Sequence, residues 1–170
     1  GFILEQCANQ YPADFWSVAA NKQAGLVGCK SGNHFIIENN TIRYAKSIGI
    51  DCGNEGSGGG GNSGMGYHTI RNNIIAYCGC SGIMGQYSPG TQVIGNTICG
   101  MDYHAQNETP EAAGIKFHGY SGGLVEHNLF VNNYVRGIWL DAGPTSTRIT
   151  RNVFTNNGGS GIFIELARHQ

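Results

Sequence analysis

Two acidic residues occupy matched positions near the end of the chain. Asp141 and Glu165 each stand four residues after the glycine of a Gly-Ile pair, at Gly137-Ile138 and at Gly161-Ile162. A pair of carboxyl groups is the equipment of glycoside hydrolysis: one attacks the anomeric carbon or activates water, and the other protonates the departing oxygen. Whether these two meet depends on the elements that carry them, and those elements are copies of one repeat.

Five segments align on asparagine: residues 34–40, 68–73, 91–96, 123–128 and 147–152, ending at Asn40, Asn73, Asn96, Asn128 and Asn152. Each is followed by a short apolar run and then by a Gly-Ile pair, beginning at Gly49, Gly82, Gly114, Gly137 and Gly161, with Gly25-Leu26 as a sixth copy. A unit of 23 or 24 residues, three short strands joined by Asn and Gly turns, predicts an all-β chain folded as a right-handed parallel β-helix of about six coils. The Leu-x-x-Leu-x-Leu frame of leucine-rich repeats is missing, and an antiparallel sandwich gives no reason for Asn and Gly to keep phase. Residues 1–170 read as one domain, with loop insertions at 54–66 and 101–112.

Side chains alternate along a strand, so the first and third residues after each repeat glycine are expected inside and the second and fourth outside. The inner set is Ile50/Cys52, Ile83/Gly85, Ile115/Phe117, Ile138/Leu140 and Ile162/Ile164. The outer set includes Met84/Gln86, Lys116/His118, Trp139/Asp141 and Phe163/Glu165. Equivalent positions stack at about 4.8 Å per coil, which makes Gln86, His118, Asp141 and Glu165 one column and matches the carboxyl spacing of a retaining glycosidase. Lys116 and His118, one coil back, can offset the repulsion between the acids. Trp139 and Phe163 are expected as exposed plates for a sugar ring.

Composition narrows the partners. Charged residues make up 12% and the formal net charge is -1, so the electrostatic attraction of a nucleic-acid or acidic-membrane binder is missing. No apolar run is long enough to span a membrane, and no signal peptide is visible at the start, which leaves the compartment open. A neutral oligosaccharide or polysaccharide fits this balance. The six cysteines, Cys7, Cys29, Cys52, Cys78, Cys80 and Cys99, follow no disulfide framework and read as buried thiols. Cys78 and Cys80 are too close for a zinc hairpin and no His cluster lies near them, so neither metal nor cofactor is expected. Uncapped end coils would expose unpaired strands, inviting homo-oligomers or a further domain, and the chain reads as a piece of a longer protein.

Residues 113–118 (Ala-Gly-Ile-Lys-Phe-His), 136–141 (Arg-Gly-Ile-Trp-Leu-Asp), 147–152 (Thr-Arg-Ile-Thr-Arg-Asn) and 162–165 (Ile-Phe-Ile-Glu), in that order, resemble the central motifs of glycoside hydrolase family 120, the β-xylosidase group. The resemblance implies an exo-acting, retaining enzyme on xylose-containing oligosaccharides, with Asp141 as nucleophile and Glu165 as acid/base. It implies substrate-binding or assisting roles for Glu111, Lys116 and His118, beside Trp139, Phe163 and Gln86. The stretches after Asp141 and after Glu165, Ala142-Gly143-Pro144 and Leu166-Ala167-Arg168, depart from the family pattern. Two other readings compete: a polysaccharide lyase in which Lys116, Arg136 or Arg151 neutralises a uronate, and a β-helix that binds carbohydrate without turning it over.

Overall fold

A computed structural model of the chain describes residues 1–6, 25–29, 32–53, 66–103 and 112–166. Among these, short strands form three parallel sheets, and every pairing joins one coil to the next. The first sheet holds Ile3–Glu5, Thr41–Arg43, Ile74–Ala76, Thr97–Cys99, Leu129–Val131 and Val153–Thr155. The second holds Val27–Gly28, Ile48–Asp51, Ser81–Gln86, Ala113–His118, Arg136–Asp141 and Ile162–Ile164, and the third runs from Ile36–Glu38 to Arg148–Thr150 in five strands. The molecule is the expected all-β right-handed parallel β-helix.

The repeat asparagines explain why the coils stack in register. Each lies at the turn between the third and first sheets, where the preceding residue takes a left-handed conformation (Asn39, Asn72, Gly95, His127 and Arg151). The Asn96 side chain accepts from the Asn73 backbone N–H at 2.9 Å and from its Nδ2 at 3.0 Å. In turn it donates to the Ile70 carbonyl at 2.9 Å and to Asn128 Oδ1 at 3.0 Å. Asn40, Asn128 and Asn152 continue the column on the same pattern. A turn that would otherwise bury unpaired backbone groups is thus satisfied by its neighbours. A second, shorter column, in which Asn133 Nδ2 donates to Asn157 Oδ1 at 2.8 Å and to the Ile98 carbonyl at 3.1 Å, holds the turn between the first and second sheets.

The repeat glycines answer a different need. A Cβ at Gly114 would stand 2.6 Å from the Gly137 carbonyl oxygen and 2.8 Å from the Phe130 ring, so only glycine lets the coils close there. Inside, Ile42, Ile75, Ile98 and Phe130 of the first sheet meet Ile50, Ile83, Ile115 and Ile138 of the second, all fully buried.

Several expectations need revision. Ile162 and Ile164 take the inward phase but are 43% and 53% exposed, because no described strand lies beyond theirs. Met101 and Asp102, assigned to the second insertion, are buried instead; Met101 belongs to the core, and its N–H donates to Asn133. Gly66 bridges to Asn33 and closes a coil rather than ending a loop. Residues 54–65 and 104–111 of the insertions, and Cys7, lie outside the described residues. Cys29, Cys52, Cys78 and Cys80 are buried free thiols and Cys99 is a half-buried one, with burial pushing Cys78 up to about 12.

His68 is buried beside this frame, its Nδ1 accepting from the Phe35 N–H at 3.3 Å, and burial lowers its pKa with help from nearby His34. The unfolded chain therefore takes up this proton first, near pH 6.5, so His68 contributes stability above that pH that is lost on acidification. Urea unfolding between pH 7.5 and 5.5 should show the midpoint falling, and a His68→Gln variant should flatten that slope. For the asparagine column, Asn96→Ala strands the Asn73 N–H and the Ile70 carbonyl and should cost about 4 kcal/mol, whereas exposed Gln92→Ala should stay within about 0.5 kcal/mol. Equal midpoints for these two variants would refute the role given to the column.

Candidate active site

The second sheet presents two outward rows. One runs through Gln86, His118 and Asp141 in direct register. Leu140 pairs with Ile164, and the Glu165 N–H donates to the Leu140 carbonyl at 2.8 Å, so Glu165 extends the row one coil further. All four side chains of this row are partly exposed. Each precedes a left-handed residue, Tyr87, Gly119, Ala142 or Leu166, so the row runs along the edge where the strands turn away.

The other row, Asp51, Met84, Lys116 and Trp139, departs from expectation. All four are buried, Lys116 completely and Trp139 to 7% exposure. The alternation is right but the face is not bare: Met84 packs with Ile48, Cys80 and Ala112 in a second apolar cluster on this side of the sheet. Trp139 is therefore not an open sugar plate, and Lys116 has no surface to offer a substrate. Phe163, at the end of the row, is partly exposed.

What the buried pair does instead is hold the acids. The Lys116 ammonium lies 3.3 Å from the centre of the Trp139 ring and 3.0 Å from Asp141 Oδ2. His118 Nε2 approaches the same oxygen at 3.3 Å, and the Ala142 N–H donates to Oδ1 at 2.5 Å. While its face meets Lys116, Trp139 donates its Nε1–H to Glu165 Oε2 at 3.0 Å. Arg136 stacks on this assembly, 4.6 Å from the Trp139 ring and 4.8 Å from that of Phe163. Lys116 and Trp139 thus tie both carboxylates to one unit, and the two acids receive unlike partners: an ammonium, an imidazole and a backbone amide on Asp141, one neutral indole on Glu165.

Of the residues singled out from the sequence, Lys116, His118, Trp139, Asp141 and Glu165 come together; Phe163 borders them, and Gln86 stands one coil behind His118. Glu111 lies outside the described residues. Sequence reasoning missed Arg136 as a stacking partner and the Ala142 N–H. The first had no marked signal, because Arg136 opens the Arg136–Asp141 strand three residues before Trp139, where alternation alone would put the two on opposite faces. Nothing in the residue type of Ala142 marked the second.

The family model described as "Right handed beta helix region" matches residues 17–169. The chain belongs to this family. Among solved structures, the helix is similar to that of XylC in complex with xylose, at 27% identity and a TM-score of 0.74 over 85% of this chain. This chain spans 27% of the length of that one. The enzymatically active domain of tailspike protein 2 from bacteriophage CBA120 is similar in fold alone, at 11% identity and a TM-score of 0.51, over 78% of this chain and 20% of that one. No curated protein matches the sequence.

Removing one partner of a buried ion pair strands the other. Lys116→Met and Asp141→Asn should each destabilise the β-helix by about 3 kcal/mol, while the double variant should lose less than the sum by more than about 1 kcal/mol. Urea denaturation of the four proteins measures the coupling, and strict additivity would show that Lys116 and Asp141 act independently.

Proposed function

We propose that this chain carries a retaining glycosidase centre in which Asp141 is the nucleophile and Glu165 the acid/base. The observation that carries the reading is the unequal setting of the two neighbouring acids. Asp141 faces Lys116 and His118 and is fixed by a backbone amide, which suits a group that must present negative charge in one orientation. Glu165 accepts a single neutral hydrogen bond, leaving its second oxygen for proton exchange.

In the first step Asp141 attacks the anomeric carbon, the glycosidic bond breaks, and the Glu165 proton passes to the departing oxygen. In the second, Glu165 takes a proton from water as that water displaces Asp141, and the sugar leaves with its original configuration. Coil stacking at about 4.8 Å supports retention, since inversion requires room for water between the acids. Buried Lys116 and Trp139 act as positioning residues, and His118, Gln86 and Phe163 line the exposed approach. Xylose-containing oligosaccharides are the substrate class, supported by the likeness to XylC, whose structure holds xylose, and by the ordered motifs shared with glycoside hydrolase family 120. The lyase reading loses its cations: Lys116 is buried, Arg136 is stacked on aromatic rings, and Arg151 lies 3.4 Å from Glu126 on the third sheet.

Aryl β-xylosides test the proposal. Asp141→Ala and Glu165→Ala should each lower kcat/KM by at least about 10³-fold, removing about 4 kcal/mol of transition-state stabilisation. Azide should restore turnover to Glu165→Ala as a glycosyl azide, and proton NMR of the wild-type reaction should show the β-anomer first. Wild-type turnover unaffected by either substitution would sink the assignment.

A further inference from the structure

Away from the acids, at the turn between the first and second sheets, four left-handed residues stand on successive coils: Tyr77, Gly100, Asn132 and Asn156. Three inter-strand steps, about 14 Å, separate the first from the last. Along this line runs a groove of about 680 Å³ that also takes in Tyr134. We propose that this groove is a second, non-catalytic carbohydrate site that binds a short stretch of a neutral polysaccharide chain.

Three features carry the inference. Tyr134 is 63% exposed and Tyr77 44%, so one groove brings together two solvent-facing rings against which a sugar can stack. Tyr77 is held in place, stacked at 5.5 Å on Tyr44 with Tyr103 edge-on at 6.4 Å, and its ring fills the space that a side chain at Gly100 would occupy. It therefore presents a fixed edge and hydroxyl to the groove, with Tyr134 as the open ring.

Apart from the tyrosine hydroxyls and the Cys99 thiol, the polar side chains of the lining are amides. Asn156 Nδ2 donates to Asn132 Oδ1 at 2.6 Å, which orients both side chains and directs Asn132 Nδ2 and Asn156 Oδ1 to a ligand as one donor and one acceptor. Beneath them Asn133 and Asn157 are locked in the second asparagine column, so the floor is pre-organised. No Asp, Glu, Lys or Arg lines the groove among the described residues, which matches hydroxyl-rich neutral sugars and disfavours uronates, phosphates and nucleic acid. Without an acid it can bind but not cleave. Tyr134 precedes Arg136–Asp141 at the opposite end of that strand from Asp141, some seven residues or about 23 Å along extended chain, so the two sites are separate.

Affinity electrophoresis in gels containing soluble arabinoxylan, glucomannan or polygalacturonate tests this with the whole chain. Wild type should be retarded by at least one neutral polymer and not by polygalacturonate. Tyr134→Ala should weaken that retardation by about tenfold, the scale of truncating one aromatic anchor. Tyr67→Ala, a half-exposed tyrosine on another turn, should leave it unchanged, as should Asp141→Ala. Turnover of a small aryl glycoside should be the same in Tyr134→Ala as in wild type. Absence of retardation in both neutral gels, equal loss in Tyr134→Ala and Tyr67→Ala, or stronger binding to polygalacturonate would each overturn the proposal. Retardation without any hydrolysis would uphold the groove while rejecting the glycosidase centre.

Discussion

A column of asparagine amides is the constraint on which this structure rests. A parallel coil of two dozen residues must turn three times, and each turn leaves backbone N–H and C=O groups facing inward. The Asn73, Asn96 and Asn128 side chains close that deficit between coils, each satisfying its neighbours' backbone while its own amide is satisfied in return. Because these bonds cross from one coil to the next, the column sets register as well as stability. A coil slipped by one residue would lose its amide bonds and turn its isoleucines outward together. The glycine column works in the same sense, since any side chain at Gly82 or Gly114 would strike the carbonyl of the following coil.

Register, once fixed, decides the chemistry available on the outside. Residues far apart in sequence become neighbours at a spacing that side chains can bridge, and the Lys116, Trp139, Asp141 and Glu165 arrangement draws on three successive coils. Burying the Lys116 ammonium is costly, and its position makes sense only with compensation: a carboxylate at 3.0 Å, the face of an indole at 3.3 Å, and the order that these impose on their surroundings. The same burial keeps the acids from swinging freely. A lysine in solvent would contribute little to Asp141, whereas one locked beneath it defines where the carboxylate points.

Much of this was legible in the sequence because periodic features obey local rules. The Asn and Gly positions name the turn and the close approach, and from them follow the three sheets, the inward isoleucines and the shared row of Gln86, His118, Asp141 and Glu165. What the repeat does not encode is what covers the sheet. The burial of Lys116 and Trp139 has no mark in the alignment, and neither does the packing of Ile48, Cys80 and Ala112 with Met84 of the same row. The Asn133 to Asn157 column was hidden for a related reason: it spans only two coils, too few to stand out as a period.

The two acids illustrate how a symmetric scaffold produces an asymmetric site. By repeat position Asp141 and Glu165 are equivalent, and a perfect solenoid would give them equal surroundings. The difference comes from the coil before each. Asp141 follows Lys116 and His118, which carry positive charge or a polarised N–H; Glu165 follows Trp139 and Asp141, which bring a neutral donor and a negative neighbour. Direction along the helix axis is thus converted into chemical polarity. Because Lys116 and His118 reach Asp141, and Trp139 reaches Glu165, from the coil behind, changing one coil alters the setting of the next without altering the backbone that carries it. Division of labour between like groups therefore needs no break in the fold.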